Sequence, residues 1–179
     1  MTAEEFLDWA MAQPEGRRYE LVAGEVVAMA PERATHARAK AAAFDALRAA
    51  VIGAGLPCEA FVDGMAVRVD DTTVYEPDVL LRCGDPADGD CIEIVDPVIV
   101  VEVLSPSSGG RDTGGKLEDY FRLPSVRHYL IIKTSNRTLI HHARDEAGAL
   151  QTRIVRTGTL ELQPPGLSLD VESLFPPGV

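Results

Sequence analysis

Pro97-Val-Ile-Val-Val-Glu-Val-Leu104 is an unbroken apolar run with a single acid, Glu102, set into it. A continuous run of branched aliphatics reads as a strand covered on both faces, because a half-exposed strand would alternate apolar and polar residues. The loop Ser105-Pro-Ser-Ser-Gly-Gly110 follows, then a helical stretch from about 111 to 122 that ends before Pro124. This strand, loop and helix place an acid in a buried sheet and send a helix back over it.

Upstream, 58–69 and 74–83 carry a period of two and read as strands joined by the polar turn Asp70-Asp-Thr-Thr73. Before them lies a long Ala-rich helix, about 33–54, with Ala39, Ala43, Leu47, Ala50 and Val51 on one side. Arg18–Ala30 reads as two short strands around Ala23-Gly24, and residues 2–12 as a helix capped by Thr2 and Glu5. Downstream, His128–Thr134, Arg137–Arg144 and Leu150–Thr157 read as a meander. The tail, with Pro164-Pro165 and Pro176-Pro177, reads as irregular around a short turn at 170–174. Strands and helices mix along the chain without a repeat or a dividing linker, so the expectation is one α/β or α+β domain over residues 1–179.

No apolar run approaches the roughly 20 residues that span a bilayer. The first residues, Met1-Thr-Ala-Glu-Glu-Phe6, lack the basic start of a secretion signal. The three cysteines, Cys58, Cys83 and Cys91, are odd in number and form no CxxC pair. They argue against a disulfide framework and a structural zinc, and for a reduced, cytoplasmic protein. The formal net charge of -11 disfavours a broad basic face for nucleic acid. It leaves room for a site with acids at its centre and a few basic residues along one groove, with strongly salt-sensitive binding.

Asp78, in Val74-Tyr-Glu-Pro-Asp-Val-Leu-Leu81, is a second acid in a strand context. A carboxylate among branched aliphatics is costly unless it is paired, hydrogen-bonded or metal-bound. On neighbouring strands, Asp78 and Glu102 could share a magnesium (or manganese) ion, which takes one or two carboxylates and keeps several waters. The competing reading makes Asp78 a turn cap after Pro77 and puts Glu102 on a solvent-facing edge. In the following helix Lys116 and Tyr120 are four apart and share a face that can fold back over the carboxylates. A lysine there can orient an attacking water and stabilise charge developing on phosphate; the alternative is a solvated helix lysine.

Tyr19-Glu20-Leu21 followed by Gly24-Glu25, then His36, Glu76-Pro-Asp78, Val101-Glu-Val-Leu-Ser-Pro-Ser107, and Arg111-Asp112 with Lys116 and Tyr120, together resemble the PD-(D/E)XK nuclease superfamily. Within it they resemble a bacterial family of restriction-endonuclease-like domains common in cyanobacteria and actinobacteria. The likeness runs from about residue 4 to about 145. The combination VEVLSPSS with RDxxxKxxxY carries its specificity. The resemblance implies a restriction-endonuclease-like core, a central mixed sheet flanked by helices. It implies Asp78 and Glu102 as metal acids, Glu20 as an additional one, and His36 near substrate. The superfamily pattern has a lysine two residues after the glutamate, where this chain has Leu104; the resemblance moves that role to Lys116. Ser105, Arg111 and Tyr120 would contact phosphate or support the site.

Gly110-Arg-Asp-Thr-Gly-Gly-Lys116 fits a phosphate-binding loop in spacing, but Leu117 stands where Ser or Thr must hold magnesium. His141 and His142 are strand neighbours that point to opposite faces. Asp85, Asp88 and Asp90 lack the later Glu of a calcium loop. Two functions stay open: a magnesium-dependent endonuclease acting on DNA, expected as a homodimer because cutting two strands takes two sites, and a binding module that keeps the nuclease fold without cleavage.

Overall fold

The computed structural model describes residues 1–104 and 112–179, apart from the side chains of 112 and 113. Helix α1 (Ala3–Met11) has the expected capping box, with Thr2 and Glu5 bonding reciprocally to each other's backbone N–H. Strands β1 (Tyr19–Val22) and β2 (Glu25–Ala28) form a hairpin. Its two-residue turn needs positive φ at both positions, and Ala23 (φ 50°) and Gly24 (φ 83°) supply it. Helix α2 (Ala34–Ala54) stops at Gly55, which takes the left-handed conformation that ends the helix.

The two strands expected over 58–69 and 74–83 are four. Asp63 and Gly64, at φ 53° and 71°, break the first into β3 (Cys58–Val62) and β4 (Val67–Asp70). Pro77, which has no N–H for a ladder, separates β5 (Thr73–Tyr75) from β6 (Val79–Cys83). Strand β7 (Pro97–Leu104), helix α3 (Asp112–Tyr120) and β8 (His128–Lys133) follow, with β7 and β8 parallel. Strands β9 (Thr138–Arg144) and β10 (Leu150–Val155) complete a six-stranded mixed sheet in the order β10-β9-β8-β7-β6-β3. A four-stranded antiparallel sheet has the order β2-β1-β5-β4.

The tail departs from its expected irregularity. Residues Thr159–Leu162 (β11) and Leu167–Asp170 (β12) pair antiparallel, followed by a 3-10 turn at Val171–Leu174. Leu160, Leu162, Leu167 and Leu169 alternate along it and are all buried. That alternation is the signal that Pro164-Pro165 obscured.

The large sheet is covered on both faces. On one, Ala39, Ala43, Leu47 and Val51 of α2 pack with Val101, Val103 and the tail leucines. On the other, Tyr120 and Phe121 pack with Leu80, Val100, Tyr129 and Ile131. A central mixed sheet between helices is the arrangement that the resemblance implies. No helix among the described residues is long and apolar enough to cross a membrane.

The reading of the cysteines against a disulfide is corrected. Cys58 and Cys83 face each other in the β3–β6 ladder and are disulfide-bonded, leaving Cys91 free. An odd count cannot reveal a cross-strand pair, because facing positions depend on a register that spacing alone does not give.

Candidate active site

The β6–β7 ladder pairs Val79 with Val101 and Leu80 with Val100, so one further step sets Asp78 opposite Glu102. Directly opposed residues on one face lie within about 4.5–5.5 Å at Cβ. Both acids are buried, Asp78 at 4% and Glu102 at 8% exposure. The ladder therefore places two carboxylates together where neither has bulk water for compensation, at the sheet end where β7 finishes and α2 begins.

Each acid is held by a different helix. Glu102 Oε1 accepts from Lys116 Nζ (3.1 Å) and from the Tyr120 hydroxyl (2.9 Å). Their spacing of four residues on α3 makes the pair one clamp. Lys116 Nζ also donates to Glu20 Oε1 (2.8 Å), which accepts from the Glu76 N–H (3.1 Å), and it lies 4.9 Å from the centre of the Tyr75 ring. The Tyr75 hydroxyl donates to Asp119 Oδ2 (2.6 Å). Burial, above all, pushes the Glu102 carboxyl up to about 7; the charge of Lys116 opposes that, and the neighbouring Asp78 and Glu20 carboxylates add to it. Burial, with the charges of Glu102 and Glu20, raises the Tyr120 phenol well above its ordinary value, so it stays a donor.

Asp78 is held by α2 and by the backbone of β7. Its Oδ2 accepts from the Val103 N–H (2.7 Å) and lies 3.2 Å from His36 Nε2, which also reaches the Val103 carbonyl oxygen (2.8 Å). His36 Nδ1 is 2.6 Å from Glu32 Oε2. Burial alone would lower the imidazole, but the hydrogen bond to and charge of Asp78, with Glu32, raise it to about 9. His36 is thus an imidazolium at neutral pH, donating from both nitrogens. One turn on, Lys40 is 2% exposed, with Nζ 2.6 Å from Glu32, 2.8 Å from Asp63 and 3.8 Å from Asp78 Oδ1.

The structure thus brings Asp78, Glu102, Lys116, Glu20, His36 and Tyr120 into one cluster. Ser105 and Arg111 lie outside the described residues. Lys40, Glu32, Asp63, Tyr75 and Asp119 were not singled out from the sequence. Lys40 had one signal, its spacing of four from His36 on the helix, hidden by an Ala-rich stretch in which a lysine reads as solvated. His141 and His142 do point to opposite faces: His141 Nε2 is 2.9 Å from His128 Nδ1, and His142 packs on Tyr129 and bonds Thr152.

The donor set can be tested against a divalent cation. Among the described residues no three His, Cys, Asp or Glu side chains converge on one point. Glu20, expected as a third metal acid, has its Oε1 committed to Lys116 and the Glu76 N–H. Two carboxylates suffice for magnesium, whose other positions are filled by water and substrate oxygen. The hydrogen bonds to Asp78 and Glu102 fall on Oδ2 and Oε1, leaving the opposed carboxylates one oxygen each outside those bonds. That donor set fits a hard cation.

Comparison with known proteins identifies the family. The family model Uma2, described as "Putative restriction endonuclease", matches residues 3–174. Two proteins of Synechocystis sp. are similar, each 29% identical. "Uncharacterized protein slr1290" aligns over 178 residues, 98% of this chain and 91% of that protein, and "Uncharacterized protein sll1609" over 136 residues, 74% of each. A crystal structure from Anabaena variabilis, titled as a putative nuclease belonging to DUF820, superposes with a TM-score of 0.77 at 16% identity, covering 98% of this chain and 97% of that one. With a matching model over nearly its whole length, the chain belongs to the Uma2 family of restriction-endonuclease-like proteins.

Proposed function

We propose that this protein is a magnesium-dependent endonuclease that hydrolyses phosphodiester bonds in DNA. The observation that carries the reading is the buried pair Asp78 and Glu102, opposed across β6 and β7 with Lys116 against one of them. Asp78 and Glu102 would hold the cation, which supplies Lewis-acid stabilisation of the scissile phosphate and a more acidic water. Lys116 orients the nucleophile and meets the charge that develops on phosphate, a preorganised role because Glu20, Glu102 and the Tyr75 ring fix its ammonium. Tyr120 holds the Glu102 carboxylate in one orientation, and His36 does the same for Asp78. Glu20 then serves as the anchor of Lys116. Cutting both strands of a duplex takes two such sites, so the proposal includes a homodimer, which sedimentation at several protein concentrations tests.

A second reading, a nuclease fold that binds without cutting, is favoured by Leu104 in the superfamily's lysine position. Lys116 Nζ, 3.1 Å from Glu102, supports the first reading, since it brings an ammonium to the carboxylate from the next helix. Thermal unfolding with and without magnesium or manganese separates the two. Under the proposal, a cation at a hundred times its dissociation constant stabilises the wild type by about 2.7 kcal/mol, and Glu102→Gln abolishes the response. An identical response in the variant would remove Glu102 from the site.

A further inference from the structure

His36 and Lys40 both approach Asp78 from α2, but to different depths. The imidazole Nε2 is 3.2 Å from Asp78 Oδ2, whereas Lys40 Nζ stops 3.8 Å from Oδ1. A charge-assisted hydrogen bond spans about 2.7–2.9 Å, so the ammonium stands about 1 Å short of bonding. Its other partners explain the gap. Lys40 Nζ is 2.6 Å from Glu32 Oε2, and 2.8 and 2.9 Å from the two carboxylate oxygens of Asp63. An ammonium carries three donors, and these three oxygens match them in number. Asp63 is itself fixed. Its N–H donates to the Asp78 carbonyl oxygen (3.1 Å), and its Oδ1 also accepts from Arg18 Nη1 (2.8 Å). Arg18 Nε in turn donates to Glu76 (2.8 Å), two residues before Asp78. The oxygen that Lys40 falls short of is the one outside the Val103 hydrogen bond.

We propose that Asp63 is a positioning residue for the cation site: with Glu32 it holds the Lys40 ammonium off Asp78 and so keeps Oδ1 for a divalent cation. The inference rests on the cation reading of the carboxylate pair. Without the Asp63 charge, the ammonium loses two of its acceptors and closes the remaining distance to Asp78. Ammonium and divalent cation then compete for one oxygen, and the cation binds more weakly. Outer partners of metal-binding side chains commonly change metal affinity by about 10–100-fold. If Asp63 only supported the fold, removing Lys40 as well would deepen the loss; under competition it reverses the loss. That difference in sign is an interaction between two neighbouring residues, which a double-variant cycle measures.

The test is calorimetric titration of manganese, which takes the same hard oxygen ligands, into metal-free protein without nucleic acid. Affinity is then read apart from activity. The proteins are wild type, Asp63→Asn, Lys40→Met, the double variant and Glu102→Gln, each checked for fold by circular dichroism. Asparagine suits the left-handed backbone at this position (φ 53°) and keeps the N–H to Asp78, so the substitution removes the charge alone. The expected result is binding by the wild type that is lost in Glu102→Gln and weakened at least ~10-fold in Asp63→Asn. Lys40→Met binds at least as tightly as the wild type, and the double variant returns to the wild-type range. Should Asp63→Asn not fold, Glu32→Gln, alone and with Lys40→Met, reads the same competition. Unchanged affinity in Asp63→Asn, or a loss that Lys40→Met leaves in place, would overturn the proposal; with binding still dependent on Glu102, the cation reading would stand. No manganese binding by the wild type, or binding that survives Glu102→Gln, would remove the cation reading and the proposal with it.

Discussion

Tyr120 separates positioning from packing. Its ring is buried, with the Tyr75 and Tyr129 rings at 5.4 and 5.2 Å, and its hydroxyl donates to Glu102. Tyr120→Phe keeps the ring contacts and removes one bond to a carboxylate, a change of about 1.5–3 kcal/mol. Urea unfolding should register that loss with an unchanged denaturant slope; a neutral result would mean that the bond contributes nothing. At this scale the site was legible where a residue type conflicts with its surroundings. Asp78 and Glu102 interrupt aliphatic runs, and Lys116 and Tyr120 share a helical spacing. Lys40 conflicts with nothing in an Ala-rich helix, and Asp63 looks like an ordinary turn residue. Their roles follow from β3 and α2 meeting in space, which local spacing does not encode. Lys40→Met should cost about 1.5–3 kcal/mol, because it removes the buried ammonium that Glu32 and Asp63 bond at 2.6 and 2.8 Å.

The elements that carry strong local signals formed as read. The hairpin at Ala23-Gly24, the capping box of α1 and the long apolar strand each have one conformation that satisfies their chemistry. Breaks inside the period-two stretches were not legible, since alternation continues across Asp63-Gly64 and Pro77 while the strands on either side join different sheets. Gly55 gives an element-scale prediction. It ends α2 at φ 63° with open space around its α-carbon. Gly55→Ala should cost about 1 kcal/mol from the backbone alone, measurable as a lower thermal midpoint without loss of helical circular dichroism. Reduction gives a second. The Cys58–Cys83 bond closes a separation of 25 residues, so reduction should cost roughly 3.5 kcal/mol by the chain-entropy relation. Identical urea curves with and without reductant would show that the bond does not form in solution.

For the whole molecule, buried histidines set opposing limits on stability. Burial lowers His128 and His142, and lowers His141 from 6.5 to about 4. Between those pH values the unfolded chain binds the extra protons, so their contribution is full above pH 6.5 and is lost as pH falls toward 4. His36 has the opposite sign: raised from 6.5 to about 9, it contributes fully below pH 6.5 and loses that contribution as pH rises through 9. Thermal stability should therefore peak near neutrality, and His141→Phe should flatten the acid side; an unchanged acid limb would contradict that assignment. The net charge of -11 predicts weak general affinity for nucleic acid, falling steeply with salt.

If the opposed carboxylates and Lys116 form a hydrolytic centre, loss of either should abolish strand cleavage. Plasmid nicking with magnesium and with manganese tests it most directly, comparing wild type, Glu102→Ala and Lys116→Ala purified side by side. The expected result is metal-dependent nicking by the wild type and a loss of at least about 100-fold in both variants, the scale of removing a group that stabilises transition-state charge. Nicking that survives both substitutions would contradict it.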